Sequence, residues 1–567
     1  MKVIIVGGVA GGASAAARLR RLDEDAQIVV FERSGYVSYA NCGLPYYVGG
    51  TIKDWEALTL QTPESFKRRF NVDVRVRCEV RRIDPVRKTV TVCDLSTGAE
   101  YEESYDRLIL SPGARPVRPG IPGVESERVY TLRTVEDTLK LRAVVERTAP
   151  RRAVVVGGGF IGLEMAENLM QAGVQVTVVE GANQVMAPLD YDMACEVHAY
   201  LKSKGTALVL GETVQGFETR EDGIVTRTSG GKALLADLCV LAIGVAPDTA
   251  LAKEAGLSLG LRGAIVVDER MRTSAPDIYA VGDAVQVQNS ISGQDALISL
   301  AGPANRQGRI AADDICGIAR HYPGSQGSSV IKLFDMTVAA TGLNEKAVRA
   351  AGIPYDKALT FSASHATYYP GSSNMTVKTL YDPTTGRILG AQIVGFDGVD
   401  KRIDVLATAI RAQMTAQDLA ELDLAYAPPY SSAKDPVNMA GFVIENVRSG
   451  LVRQFHWHDV ACLPRDGSVT LLDVRTPVEY ARGHIDGALN IPLDSLRERL
   501  DELPAQKPIY VNCHSGLRSY IACRMLSQRG FECYNLSGGY RFYERVTSDP
   551  AFDAEAAYPC GIKIGHK

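Results

Sequence analysis

A chain of 567 residues is longer than one hydrophobic core supports, so three to four domains are expected. Its 46% hydrophobic and 23% charged residues have the balance of a globular chain, and a net charge of −4 argues against a general nucleic-acid partner. Eleven cysteines, an odd number without framework spacing, point to reduced thiols. No Cys-x-x-Cys pair and no paired histidines occur, so no metal is expected, and the cytoplasm is the expected compartment.

Residues 3–6 read as a buried strand that ends in a glycine turn; this apolar run is too short for a leader peptide. No later run is long enough to span a bilayer, and no membrane partner is expected. Gly7, Gly8, Gly11 and Gly12 follow, then a helix over about 13–21 and a strand over 28–32, which together make a β-α-β unit. The pattern returns with a strand at 153–156, Gly157, Gly158, Gly159 and Gly162, a helix to about 171 and a strand at 176–180. Backbone N–H groups at such a turn, and the dipole of the helix behind it, suit a pyrophosphate. The carboxylate that closes the second strand suits ribose hydroxyls, and it is Glu32 in the first unit and Glu180 in the second. Two dinucleotide sites are therefore expected. The first departs from the pattern, with Val9 where the middle glycine belongs. Glu180 followed by Gly181 favours NADH over NADPH, because the carboxylate repels a 2′-phosphate and no arginine follows to compensate.

Cys42 stands in Ser38-Tyr-Ala-Asn41-Cys42-Gly-Leu-Pro45, and the next cysteine is Cys78, so no close dithiol partner exists in sequence. Pro45 suits the first turn of a helix; this predicts a Cys42 near a helix N-terminus with a lowered thiol pKa. Two basic clusters, Arg18, Arg20, Arg21 and Lys67, Arg68, Arg69, read plainly as solvated faces. Cys195, Cys239 and Cys316 read as inert core thiols. Strands are expected at 330–334 and 375–380 and a helix at 401–414, followed by the loop Ala-Tyr426-Ala-Pro-Pro-Tyr430. After a break at 446–462 a small domain begins, with strands at 469–474 and 508–512 and a helix at 519–529. Within it Cys513 opens the loop Cys513-His-Ser-Gly-Leu-Arg518, whose successive N–H groups would form an anion nest with Arg518 adding charge. Cys523 and Cys533, outside the loop, read as core.

The first fingerprint, Ile278-Tyr-Ala-Val-Gly-Asp283 and Leu300-Ala-Gly-Pro-Ala-Asn305-Arg306 resemble the flavin-dependent pyridine nucleotide-disulfide reductases. The resemblance implies FAD on Gly7, Gly8, Ala10, Gly11, Gly12, Glu32, Arg33, Gly282, Asp283 and Ala301, with Pro112 and Gly113 of Leu110-Ser-Pro-Gly113 as a second contacting turn. It places Asp283 on the ribityl chain and the nicotinamide dinucleotide on Gly157, Gly159, Gly162 and Glu180. The segment Asn41-Cys42-Gly-Leu-Pro45 resembles the coenzyme A-disulfide reductase branch over residues 1–445, together with Ser38, His365-Ala-Thr-Tyr368-Tyr-Pro-Gly and Ala-Tyr426-Ala-Pro-Pro-Tyr-Ser-Ser-Ala-Lys434-Asp-Pro. That branch implies a Cys42 that cycles through a mixed disulfide with coenzyme A. It implies a coenzyme A site of Ser14, Arg18, Arg21, Ser38, Asn41, Asn305 and Lys434, which turns the first basic cluster toward phosphates. Tyr368 and Tyr426 would be catalytic phenols supplied by the partner subunit of a homodimer. The related peroxidase and oxidase branch carries a histidine near the first glycine turn, and Val9-Ala10-Gly11 has none.

The run from Asp473-Val-Arg475 through Glu479, His484 and Pro492, followed by the Cys513 loop, resembles the rhodanese module. It implies a Cys513 that takes up sulfane sulfur as a persulfide. The loop is one residue shorter than tyrosine-phosphatase-like loops, which favours sulfur over phosphate. The expected fold class is α/β, with two Rossmann-like dinucleotide-binding domains, an α+β dimerisation domain and a C-terminal rhodanese α/β domain. The expected bounds are 1–148 and 271–325 for FAD, 149–270 for NAD, 326–446 for dimerisation, 447–460 for a linker and 461–567 for rhodanese. The expected activity is FAD-dependent, NADH-driven reduction of coenzyme A persulfide, polysulfide or coenzyme A disulfide, with small-molecule sulfur substrates and release of sulfide. Two alternatives stay open: a plain coenzyme A-disulfide reductase beside an independent thiosulfate sulfurtransferase, and a rhodanese domain that only senses or docks.

Overall fold

Residues 1–552 are described by the computed structural model, and residues 553–567, the end of the expected rhodanese domain, lie outside the described residues. The described chain forms two units: Met1–Gly181 with Gly205–Gly327, and Ala182–Lys204 with the chain from Ser328 on.

The first unit holds two parallel sheets. In the first, Lys2–Val6 is central, flanked by Gln27–Glu32 on one side and Arg107–Leu110 on the other, with Asp73–Val76 and Ile278–Ala280 at the edges. The second sheet has the order Ala207–Leu210, Gln175–Glu180, Arg152–Val156, Leu238–Leu241, Val129–Tyr130. Val3, Ile4 and Ile5 in one sheet, and Ala153, Val154 and Val155 in the other, are buried without alternation, as parallel strands covered on both faces must be.

Each central strand runs into a glycine turn and then a helix, Ala10–Leu22 in the first sheet and Phe160–Gln171 in the second. The first helix begins three residues before the expected position, because Gly11 and Gly12 already belong to its opening turn. Neither helix has a side-chain cap, whereas Pro63–Phe70 and Val135–Thr148 in the same unit begin with full capping boxes. The uncapped N–H groups are left to whatever occupies the turn.

In the second unit an antiparallel sheet runs Ser329–Leu333, Met336–Gly342, Ile388–Gly395, Asn374–Tyr381, Asp356–Ala363. A parallel sheet follows, in the order Arg453–Phe455, Cys533–Leu536, Ile509–Asn512, Thr470–Asp473, Leu489–Asn490. Its first strand lies inside the stretch 447–460 read as a linker: Arg453–Phe455 pairs in parallel with Tyr534–Leu536. Three residues are too few to display a strand's alternation, so only the pairing reveals it.

The helix Tyr191–Ser203 belongs to this unit because of a buried ionic cluster. The Lys378 ammonium lies 2.7 Å from Asp192, 2.9 Å from Asp190 and against Glu345, which also pairs with Lys357 at 2.8 Å. The Trp457 indole N–H donates to Asp192 at 3.2 Å. One cluster thereby joins the helix, the antiparallel sheet and the start of the C-terminal domain. No described helix is long and apolar enough to cross a membrane.

Candidate active sites

The two glycine turns of the first unit are built alike. Gly7 N–H donates to the Phe31 carbonyl and Gly157 N–H to the Val179 carbonyl, both at 2.8 Å. Gly8 N–H donates to Glu32 at 2.9 Å, and Gly158 N–H to Glu180 at 2.6 Å. Gly7 and Gly157 have φ of +94° and +111°, and a Cβ on them would lie 2.1 Å and 2.2 Å from the carbonyl oxygens of Ser111 and Ala242 respectively. Only glycine fits there.

Beside the first turn is a cleft of about 270 Å³ lined by Gly7, Val9, Glu32, Arg33, Asn41, Pro112, Gly113 and Arg133, among others. It brings together five of the residues expected to hold FAD. The Glu32 carboxylate, the uncapped helix and the open cleft fit a dinucleotide. Gly282 and Asp283 form a turn of their own, Gly282–Ala284, and Ala301 opens the helix Ala301–Ile315. At the second turn a Cβ on Gly159 would meet nothing within 4 Å, which leaves room for a phosphate to approach.

Cys42 lies in a short turn, Asn41–Gly43, just before the five-residue helix Leu44–Val48, in which Pro45 occupies the first turn as expected. The thiol is solvent-accessible. The lowered pKa expected for it is not found. Desolvation by the surrounding protein pushes the thiol up, the charges of Glu164 and Asp283 push it further, and Arg133 only partly opposes them. A helix this short, starting after Cys42, has little dipole to offer. Arg133 itself pairs with Asp283 at 3.0 Å and donates to the Ala114 carbonyl at 3.0 Å. With its amide oriented to satisfy both groups, Asn41 donates to the Arg133 carbonyl and accepts from its guanidinium.

Six of the residues expected at coenzyme A belong to the first unit and one, Lys434, to the second. Ser14 donates to Asn305 at 2.9 Å, so these two meet. Arg18 is paired with the buried Asp313 at 2.6 Å, and Arg21 is exposed on the same helix. Arg20, from the same basic cluster, is buried and bonded to five backbone carbonyls, including those of Phe70 and Ala26; it is a structural cation. Ser38 has the unusual φ of +49°, and its N–H donates to the Gly8 carbonyl at 2.9 Å, which ties the cysteine segment to the glycine turn. Lys434 is exposed in the second unit. Tyr368 and Tyr426, also in the second unit, touch through their hydroxyls at 2.8 Å while 75% and 46% exposed. That hydrogen bond is the main cause of a raised Tyr426 pKa.

Cys513 follows directly on the strand Ile509–Asn512, and its loop leads into the helix Leu517–Ser527. Its sulfur is buried and accepts from the Gly516 N–H at 3.1 Å and the Ser519 hydroxyl at 3.2 Å. Tyr540 N–H fixes the Cys513 carbonyl at 2.7 Å. Arg518 stands at the end of the loop with its charge paired to a carboxylate. It grips Glu479 through two bonds of 2.6 and 2.8 Å, which hold the Glu479 carboxyl well below the usual range. Cys195 and Cys239 are fully buried, Cys523 and Cys533 are buried, and Cys316 is partly so. Arg133, Glu164, Ser519 and Glu479 were not picked out as site residues by the sequence; Arg133 and Glu164 act on Cys42 from distant segments, Ser519 bonds Cys513 from the next turn, and Glu479 holds Arg518.

The pyridine nucleotide-disulphide oxidoreductase family matches residues 1–308, its dimerisation domain matches 328–436, and the rhodanese-like domain matches 458–545. The chain is 36% identical over 442 residues to a coenzyme A disulfide reductase of Staphylococcus epidermidis, covering 78% of this chain and 99% of that one. Its fold resembles the reduced CoADR-RHD of Bacillus anthracis, with a TM-score of 0.94 and 49% identity over 96% of this chain and 98% of that one. A NAD-dependent persulfide reductase from A. fulgidus has a TM-score of 0.89 and 40% identity over 96% of this chain and 100% of that one.

Proposed function

Since the chain belongs to the pyridine nucleotide-disulphide oxidoreductase family, we propose that it reduces sulfur–sulfur bonds of coenzyme A disulfide, coenzyme A persulfide or polysulfide at the expense of NADH. The observation that carries this reading is Cys42: an accessible thiol with no dithiol partner among the described residues, set by Asn41, Ser38 and Arg133 beside a dinucleotide cleft. A single thiol opens a sulfur–sulfur bond by sharing a disulfide with a small molecule, and the staphylococcal relative is named for coenzyme A disulfide.

FAD, held by the first glycine turn, Glu32, Arg33, Pro112, Gly113 and Asp283, would supply two-electron transfer between nicotinamide and sulfur. The second turn and Glu180 orient NADH. The Cys42 thiolate attacks the incoming sulfur–sulfur bond, one thiol leaves, and the resulting mixed disulfide is reduced in the next turn. Per cycle NADH and one proton are consumed and two thiols, or coenzyme A and sulfide, are formed. The exposed phenols of Tyr368 and Tyr426 suit burial against a second protomer, in keeping with the dimerisation domain and a homodimer. Cys513, with two donors already on its sulfur, suits persulfide carriage, which favours chemistry over a purely sensing role.

Anaerobic reduction of the purified enzyme by NADH, with chromatography of the released thiol, tests the first site. Coenzyme A released in proportion to flavin is expected, and its absence would refute the mixed disulfide. Cys42→Ser is expected to abolish NADH-dependent reduction of every sulfur substrate. Cys513→Ser is expected to spare coenzyme A disulfide and impair polysulfide; equal loss on both would remove the sulfur-carrying role.

A further inference from the structure

Three guanidiniums lie near the Cys513 loop, and each is paired with a carboxylate. The charges that act on His514, next to Cys513, are those of Arg541, Glu479, Arg518 and Arg475. Arg518 holds Glu479 through two bonds, Arg475 pairs with Asp473 at 2.7 Å, and Arg541 lies 3.4 Å from Glu196. Arg518 also feels the charge of Cys513 itself. The Glu479 carboxylate is fixed in place by four hydrogen bonds. Two come from Arg518, and two from the N–H and hydroxyl of Thr476, at 3.0 and 2.9 Å, in the capping box of the helix Pro477–Ala481. Burial, then the charge of Arg541, lowers the His514 imidazole, so it is neutral at neutral pH and above. Beside this balanced set stand exposed apolar side chains: Val478, next to Glu479, and Leu517 and Ile521, one turn apart on the helix Leu517–Ser527.

We propose that Glu479, by holding the Arg518 guanidinium, sets the sulfur donor of the Cys513 centre: an organic persulfide and not thiosulfate. The proposal rests on Cys513 carrying sulfane sulfur. Thiosulfate is a dianion whose sulfonate end calls for a free cation. Here the guanidinium that could take it is bound to a fixed carboxylate, and that carboxylate repels the dianion. An organic persulfide lays an uncharged arm against the apolar side chains and brings only its terminal sulfur to the loop. The Cys513 thiolate attacks that terminal sulfur. The bond from Cys513 to it forms, and its bond to the inner sulfur of the donor breaks. The inner sulfur leaves with the electron pair and takes up the persulfide proton. Cys513 is left as a persulfide anion and the donor as a thiol, with no net oxidation or reduction.

The test is the rate of persulfide formation at Cys513 in the full-length protein, followed by peptide mass spectrometry, with coenzyme A persulfide and thiosulfate as donors. Wild type is expected to prefer coenzyme A persulfide. Glu479→Gln keeps the volume and the capping position while freeing Arg518. Its thiosulfate-to-persulfide ratio of second-order rate constants should rise by about 10-fold or more. Its thiosulfate rate should also fall with added salt, as attraction to a free cation does. In the double variant, Glu479→Gln with Arg518→Gln, the gain should vanish. An unchanged ratio in Glu479→Gln, a gain that survives the loss of Arg518, or a wild type that prefers thiosulfate would overturn the proposal and leave Cys513 as a sulfur carrier. No persulfide at Cys513 from either donor, in a protein that still reduces coenzyme A disulfide, would instead overturn the sulfur-carrying role.

Discussion

Replacing Lys378 by methionine should destabilise the second unit by about 3–5 kcal/mol at pH 7, since it keeps the volume and removes the cation of a buried ionic cluster. The side chain is fully buried, so solvent does not screen it, and Asp190, Asp192 and Glu345 place carboxylate oxygens within 4.8 Å of one another around it. Even with Lys378 present, burial raises Asp190 to about 6. Without it Asp190, having lost the cation that holds its burial shift in check, rises further above its unfolded value. Keeping it neutral at pH 7 costs about 4 kcal/mol relative to the unfolded chain, at ~1.4 kcal/mol per pH unit. The sign follows: a carboxyl raised on folding contributes stability at low pH that is lost as pH rises, so the deficit of the variant should shrink by up to about 2 kcal/mol between pH 7 and 5.5. Trp457, bonded directly to Asp192, reports the transition in a Trp55→Phe background, because the chain has only these two tryptophans. Urea titrations at both pH values give the deficit from the midpoint and slope. A deficit under about 1 kcal/mol, or one independent of pH, would refute the reasoning.

At the second glycine turn, Glu180→Ala with Gly181→Arg should raise the NADPH-to-NADH ratio of kcat/KM by about 10²-fold, as a repulsive carboxylate is replaced by a phosphate-binding guanidinium. A Cβ at Gly181 would lie 3.2 Å from the Thr213 methyl, a contact that a small shift relieves, so the turn should survive; steady-state kinetics with both nucleotides checks the switch. Ser519→Ala removes one of the two donors to the Cys513 sulfur and should slow sulfur transfer by about 10-fold, the worth of ~1.5 kcal/mol for a bond to a charged acceptor. Persulfide formation at Cys513, followed by mass spectrometry, measures it, with reduction of coenzyme A disulfide as the unaffected control.

Both glycine turns, their strands and their acidic residues were legible in the chain, because a β-α-β unit writes its period and its turn into some thirty consecutive residues. The two isolated cysteines stood out for the same reason: the absence of a nearby partner is a local fact. Local pattern says nothing about what a fold brings in from elsewhere. Pro45 marked a helix start correctly, yet the state of the Cys42 thiol depends on Glu164 and Asp283, more than a hundred residues away, and on desolvation. Arg518 was legible as a charge at its loop, whereas its pairing with Glu479, 39 positions back, was not. The stretch 447–460 lacked any periodic signal, and within it Arg453–Phe455 became an edge strand through pairing with Tyr534–Leu536. Sequence alone determined which chemistry-bearing groups exist and which nucleotides they suit; tertiary structure decided their charge, because electrostatics and burial act through space and not along the chain.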